Sequence, residues 1–192
     1  MWFPFLKISR IFIITVITII VIIFVLLTAF IEIYALQINL PRTGELIYSR
    51  HIRENESFFI VNIHSVELCK ITEYFKIDNN YNIILYEATA PYSSFGLPYT
   101  AFGDEKFILE KDLFRVTNMS RLIPEVVIFA EKQYENTIYF RDGFFELYEP
   151  SGYRLVRIYV GKMPVWKYAL GRIYYMYRES FNYDKRFSKV RN

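Results

Sequence analysis

The order of apolar and polar residues divides the chain into one long apolar run and a mixed remainder. Residues 11–31 carry no charged side chain and lie between Arg10 and Glu32. A helix over this run would reach about 31 Å, which matches the hydrocarbon core of a bilayer. A cleaved signal peptide has a shorter apolar core, followed by small residues, which this run lacks. The pattern therefore predicts an uncleaved transmembrane helix, to which we assign residues 11–36.

The charges beside the apolar run bear on its orientation. Lys7 and Arg10 precede the run, whereas Arg42, Arg50 and Arg53 follow within about twenty residues, the window over which the positive-inside rule counts. The brevity of the segment 1–10 favours a cytoplasmic amino terminus. We therefore expect a single-pass protein of a bacterial inner membrane, with the domain in the periplasm.

The residues after the helix suffice for one compact domain with its own core. Leu40-Pro41-Arg42-Thr43-Gly44 disfavours helix, so we assign 37–44 to a linker, 45–180 to the domain and 181–192 to a basic tail. Apolar runs bounded by turn residues predict strands at 57–64, 81–88 and 125–130, the last of them buried. Residues 65–78 permit two interpretations. We favour a helix capped by Ser65, and a strand is the alternative.

The second half of the domain contains the clearest local pattern. Asp142-Gly143 favours a tight turn, so 137–141 and 144–149 are predicted to form a β-hairpin. A second turn at 150–152 would bring in 153–160 as the third strand of a meander. After Pro164, a helix is indicated by apolar residues at helical spacing, namely Trp166, Leu170, Ile173 and Tyr177. The predicted class is α+β, with a mostly antiparallel sheet and one or two packing helices.

Residues with catalytic or metal-binding chemistry are few. The single cysteine, Cys69, excludes an intramolecular disulfide framework and a cysteine-based metal cluster. His51 and His64 have no acidic neighbour at metal-ligand spacing, and the phosphate-loop, dinucleotide, zinc-protease, EF-hand and nucleophile-elbow motifs are absent from the sequence. We therefore expect a protein without enzymatic activity, cofactor or metal.

Two segments are candidates for contact with a partner. Residues 91–104 hold aromatic side chains suited either to a protein contact or to a lid over the core: Tyr92, Phe95, Tyr99 and Phe102. The carboxyl-terminal part combines tyrosines with cations suited to an anionic surface: Lys167, Arg172, Arg178, Lys185 and Arg186. The alternative for these cations is pairing within the chain, because residues 43–152 have net charge −7 (10 basic, 17 acidic) and residues 153–192 have +8 (10 basic, 2 acidic).

These observations favour a membrane-anchored, non-enzymatic module that binds another protein. An immunity or exclusion protein and an accessory protein that stabilises a membrane partner both share this plan, an analogy of architecture alone. A structural subunit of a large membrane complex is the alternative. Nucleic acid is excluded as a partner if the domain lies outside the cytoplasm.

Overall fold

The computed structural model describes residues 10–91, 103–111, 113–152 and 154–176. The chain begins with helix α1 (Arg10–Phe30), continues directly into strand β1 (Glu32–Asn39), and includes a short helix α2 (Tyr148–Ser151) and a helix α3 over residues 165–176. The other strands are β2 (Leu46–His51), β3 (Ser57–Ile63), β4 (Lys70–Ile77), β5 (Ile83–Pro91), β6 (Lys106–Glu110), β7 (Leu113–Thr117), β8 (Arg121–Ile123), β9 (Val126–Phe129), β10 (Thr137–Phe140), β11 (Gly143–Glu146) and β12 (Leu155–Pro164).

Helix α1 is long and apolar enough to cross a membrane, and the stretch Arg10–Thr28 is not buried against the rest of the molecule. Its polar side chains bond to their own helix. The hydroxyl groups of Thr15 and Thr18 each donate to a backbone carbonyl oxygen four residues earlier, at 2.9 Å. Thr28 donates in the same way to Phe24 at 3.1 Å. These hydroxyl groups therefore have partners within the helix, as a lipid environment requires.

The structure corrects the predicted end of this helix. The helix ends at Phe30. Strand β1 occupies residues that were predicted to belong to the helix 11–36 and the linker 37–44. Strand β1 pairs with β12 along its whole length and with β2 on its other side, and its Leu36 and Ile38 side chains are fully buried. Sheet pairing and burial thus stabilise this segment as a strand. The domain begins at residue 32 rather than 45.

Two antiparallel sheets pack face to face around one apolar core. The first sheet has the order β2-β1-β12-β9, and the second has the order β11-β10-β3-β4-β5-β7-β6, with β8 paired to the first half of β5. Inward-facing side chains of both sheets meet in one core, as expected for a two-layer sandwich. Buried inward residues from both sheets include Leu36, Ile38, Phe58, Ile60, Phe75, Ile77, Ile138 and Ile158. The expected mostly antiparallel architecture with helices is confirmed.

The predicted β10–β11 hairpin is confirmed, but its turn is Arg141-Asp142 rather than Asp142-Gly143, because Phe140 pairs with Gly143. The predicted meander is wrong. After β11 the chain forms α2, which ends at Gly152 with a φ of 62°, a conformation that glycine adopts without strain. Strand β12 then joins the other sheet between β1 and β9. There it buries Val156 and Ile158 completely.

The favoured helix at 65–78 is also wrong. Residues Lys70–Ile77 form β4, paired on both sides with β3 and β5. A turn precedes it, in which the His64 N–H donates to the Cys69 carbonyl oxygen at 2.8 Å and Leu68 has a φ of 51°. The predicted strands at 57–64 and 81–88 correspond to β3 and β5.

The predicted strand at 125–130 corresponds to β9, but it is not buried as expected. Strand β9 lies at the edge of the first sheet, and its Val127 and Phe129 side chains are exposed. Helix α3 is confirmed as a helix, yet Trp166, Leu170 and Ile173 of its predicted packing face are exposed. The side that meets the domain includes Gly171, beside Ser49, and Tyr175, whose ring lies 5.2 Å from that of Tyr48.

Candidate functional site

Strand β4 places one acidic side chain among the inward-facing residues of the second sheet. Its inward positions are Ile71, Glu73, Phe75 and Ile77, since Glu73 pairs directly with the fully buried Ile60 of β3. Apolar residues thus precede and follow Glu73 in its own row. A charged residue at such a position costs free energy unless it is paired, so Glu73 marks this part of the sandwich as unusual.

Glu73 lines a cleft of about 370 Å³ between the edge strand β9 and the second sheet. Its apolar lining consists of Phe75, Leu85, Ile123, Val126, Val127 and Ile128, and its polar lining consists of Asn62, Glu73, Glu125 and Asn136. The cleft therefore combines an apolar wall with a few polar groups, which is typical of sites for small molecules.

The polar side chains of the cleft are two carboxyl groups and two amides. The Oδ1 atom of Asn62 is buried and has no hydrogen-bond partner within the described residues. Burial raises the pKa of Glu73, whose carboxyl group is partly buried and likewise bonds to none of the described residues. Asn136 differs, because its Oδ1 accepts a hydrogen bond from the Glu131 N–H at 2.9 Å. The Asn62 Oδ1 atom and the Glu73 carboxyl group thus lie on one face of the sheet, and neither has a hydrogen-bond donor among the described residues.

A second feature is the outer side of α3. Its exposed apolar side chains, between 46% and 59% accessible, are Trp166, Leu170, Ile173, Tyr174 and Met176. At 3.6 residues per turn they span an arc of about 160° around the helix axis. We call these five residues the outer stripe. Lys167, which is exposed, and Arg172, which is partly buried, lie at its two borders.

The outer stripe begins next to the end of α1. Pro164, just before α3, pairs with Glu32, just after α1. The Val165 N–H also donates to the Ile31 carbonyl oxygen at 2.9 Å. The amino-terminal end of α3 therefore lies beside the helix that is suited to cross a membrane.

The structure describes only some of the contact residues predicted from the sequence. Tyr92, Phe95, Tyr99 and Phe102 lie outside the described residues, as do Arg178, Lys185 and Arg186. Lys167 and Arg172 share one helix. Arg172 lies near the acidic Asp142, whose pKa is lowered chiefly by a hydrogen bond from Arg50 and to a lesser extent by the Arg172 charge. This proximity favours the alternative in which cations of the carboxyl-terminal part interact with the acidic middle of the chain.

Glu73 was missed because residues 65–78 were predicted to form a helix, whereas Asn62 lies in the correctly predicted strand 57–64, where its role was not recognised. The signal was nevertheless present in the sequence. In the segment Lys70–Ile77, a period of two places Glu73 in one row with Ile71, Phe75 and Ile77. Reading that segment as a strand would have predicted a carboxyl group facing the core.

Part of the chain matches a known protein family. Residues 58–147 match the family described as "Domain of unknown function (DUF1850)". The matched segment runs from β3 to β11 and contains every residue that lines the cleft, but it covers slightly less than half of the 192-residue chain. Neither a curated protein nor a solved structure shows a significant match.

Proposed function

We propose that the protein is a membrane-anchored, non-enzymatic module that binds another protein, with its sandwich domain on the periplasmic side of a bacterial inner membrane. The observation that carries this proposal is the outer stripe of α3. A contiguous exposed apolar surface is typical of a site for protein or membrane contact, and tryptophan and tyrosine are enriched where proteins bind one another.

The position of the stripe indicates where the partner would lie. Because Val165 bonds to Ile31, α3 begins at the junction between α1 and the domain. With α1 in a membrane, a protein that contacts the stripe would itself lie in the membrane or at its surface. This geometry suits an accessory protein that stabilises a membrane partner. It also suits an immunity or exclusion protein that meets an effector at the membrane.

Site-specific photo-cross-linking in intact cells tests this proposal. A photoreactive phenylalanine analogue would replace Leu170 in the outer stripe and, as the matched control, Lys76, which is exposed on β4. We expect discrete adducts with one protein from position 170 and none from position 76. Adding Ile173→Glu should remove the adducts, because a charge in the apolar contact would have to be desolvated. Equal adducts from both positions, or lipid adducts alone, would contradict protein binding at the stripe.

The alternative is a structural subunit of a large membrane complex. Strand β9 favours it, because one of its edges is unpaired among the described strands and its Val127 and Phe129 side chains form a second exposed apolar surface. Free edges of this kind pair readily with another strand. Extraction in a mild detergent, followed by size analysis, separates the two functions. A structural subunit should always migrate within a complex of fixed composition, whereas a binding module should also be recovered alone.

A further inference from the structure

We propose that the cleft between β9 and the second sheet binds a small amphipathic amine, whose ammonium group donates hydrogen bonds to Glu73 and Asn62 while its apolar body packs against Phe75, Leu85 and Ile128. The proposal does not depend on the partner of the outer stripe. The two sites lie on different elements, and the stripe contributes no residue to the cleft lining.

One acceptor in the cleft lacks a hydrogen-bond donor within the part of the chain that the structure describes. The Oδ1 atom of Asn62 is buried without a partner among the described residues, which is unfavourable until a donor binds it. The Glu73 carboxyl group is on the same inward face, because Asn62 and Ile60 lie two residues apart on β3 and Ile60 pairs with Glu73. An ionised carboxylate and an amide oxygen are both acceptors. A ligand with at least two N–H groups on one nitrogen satisfies both at once.

The charge of the cleft lining favours a cationic ligand. Among the described residues, the cleft lining includes two carboxyl groups, Glu73 and Glu125, and no lysine, arginine or histidine. Glu125 is paired with Arg157 at 3.5 Å, so Glu73 supplies the uncompensated negative charge. An anionic ligand would be repelled there, whereas a cation would offset the unfavourable burial of the Glu73 charge. The apolar wall strengthens this attraction because it lowers the local dielectric constant.

The volume of the cleft suits a small ligand. A volume of about 370 Å³ lies at the lower end of the range found for small-molecule pockets. It accommodates one ring or a short alkyl chain together with the amine. Phe75, Leu85 and Ile128 supply the apolar surface on which such a group packs.

Binding of phenethylamine to the full chain in phosphatidylcholine nanodiscs tests the proposal, with 2-phenylethanol as the neutral probe of similar shape. Calorimetry would measure both affinities against empty nanodiscs. We expect the amine to bind at least about 10-fold more tightly than the alcohol, as for hydrogen bonds that involve charged groups. Glu73→Gln should remove that preference. The matched control Glu125→Gln changes an exposed carboxyl group at the cleft mouth and should retain most of it.

The dependence on pH gives a second readout that needs no variant. Since burial raises the pKa of Glu73, acidification should neutralise its carboxyl group and weaken amine binding, with no effect on the alcohol. Glu125 is the other titratable group of the lining, and its variant separates its contribution. Equal binding of amine and alcohol, or an amine affinity unchanged by Glu73→Gln and by acidification, would overturn the proposal.

Discussion

The backbone N–H of Val165 donates a hydrogen bond to the carbonyl oxygen of Ile31, with 2.9 Å between nitrogen and oxygen. Ile31 follows the last residue of α1, and Val165 is the first residue of α3. The β1–β12 pairing continues from this point into the first sheet. The two helices and the central strands of that sheet therefore meet at one junction, which fixes the carboxyl-terminal helix next to the anchor.

Replacing Val165 with proline tests this junction. Proline is tolerated at the first position of a helix but has no N–H, so Val165→Pro removes the bond to Ile31 without breaking α3. Val165→Ala is the matched control, because it also shortens the side chain but keeps the N–H. We expect the proline variant to be less stable than the alanine variant by about 1 kcal/mol. In a thermal melt this corresponds to about 2–4 °C. Equal melting temperatures would show that the bond contributes nothing.

The packing of α3 on the first sheet depends on Gly171. A Cβ atom at this position would lie 3.3 Å from the Ser49 Oγ, and 3.8 Å from a Leu46 methyl carbon. Gly171→Val should therefore force α3 away from β2 and lower the free energy of unfolding by about 1–3 kcal/mol. Ala169→Val adds bulk on the exposed side of the same helix and should change stability by less than about 0.5 kcal/mol. Chemical denaturation measures both, and similar losses at the two positions would contradict this packing.

Arg50 connects the two sheets. From β2, its guanidinium group donates to Glu56 at 2.7 Å and to Asp142 in the β10–β11 turn at 2.5 Å, and it lies 4.6 Å from the Phe140 ring centre. A lysine cannot reproduce this forked geometry. Arg50→Lys should therefore lower the melting temperature by a few degrees. Arg141→Lys, at an exposed position of the same turn, is the control and should have no measurable effect. A melting temperature unchanged by Arg50→Lys would show that the sheets do not need this link.

Glu73 should make stability depend on pH. Burial raises the pKa of Glu73 in the folded protein above its value in the unfolded chain. At pH values between these two pKa values, the folded protein therefore binds more protons than the unfolded chain. Stability should therefore fall as pH rises through that interval, and the full penalty should remain at higher pH. Glu73→Gln should raise the melting temperature at pH 7 and make little difference at pH 4, where both states of Glu73 are largely protonated. A variant less stable than the wild type at pH 7 would contradict an unpaired carboxyl group in the ligand-free cleft.

Local patterns predicted several elements correctly. Asp142-Gly143 is a local turn signal, and the β10–β11 hairpin follows from neighbours in the chain. The turn itself lies one residue earlier than predicted, at Arg141-Asp142, and neither residue has a positive φ. The uncharged run 11–31 likewise specifies a helix by itself. In each case the information lies within a few residues of the element that it determines.

The elements that could not be predicted from sequence depend on pairing between distant parts of the chain. Strand β1 pairs Leu36 with Val160, more than 120 positions away, and no local signal identifies that partner. Without it, residues 32–39 resemble the end of an apolar helix. The stripe of Trp166, Leu170 and Ile173 was expected to pack on the domain because apolar faces of helices usually do. The structure leaves it exposed, and the contact depends instead on the small size of Gly171.

The location of the domain decides which partners and ligands it can meet, and cysteine labelling measures that location directly. A single cysteine at Val66, which is 78% exposed, would be introduced by Val66→Cys in a Cys69→Ser background. Ser9→Cys in the same background is the control on the other side of α1. A membrane-impermeant maleimide added to intact spheroplasts should label position 66 and not position 9, and both should be labelled after permeabilisation. Labelling of position 9 alone, or recovery of the protein in the soluble fraction, would contradict a membrane-anchored periplasmic domain.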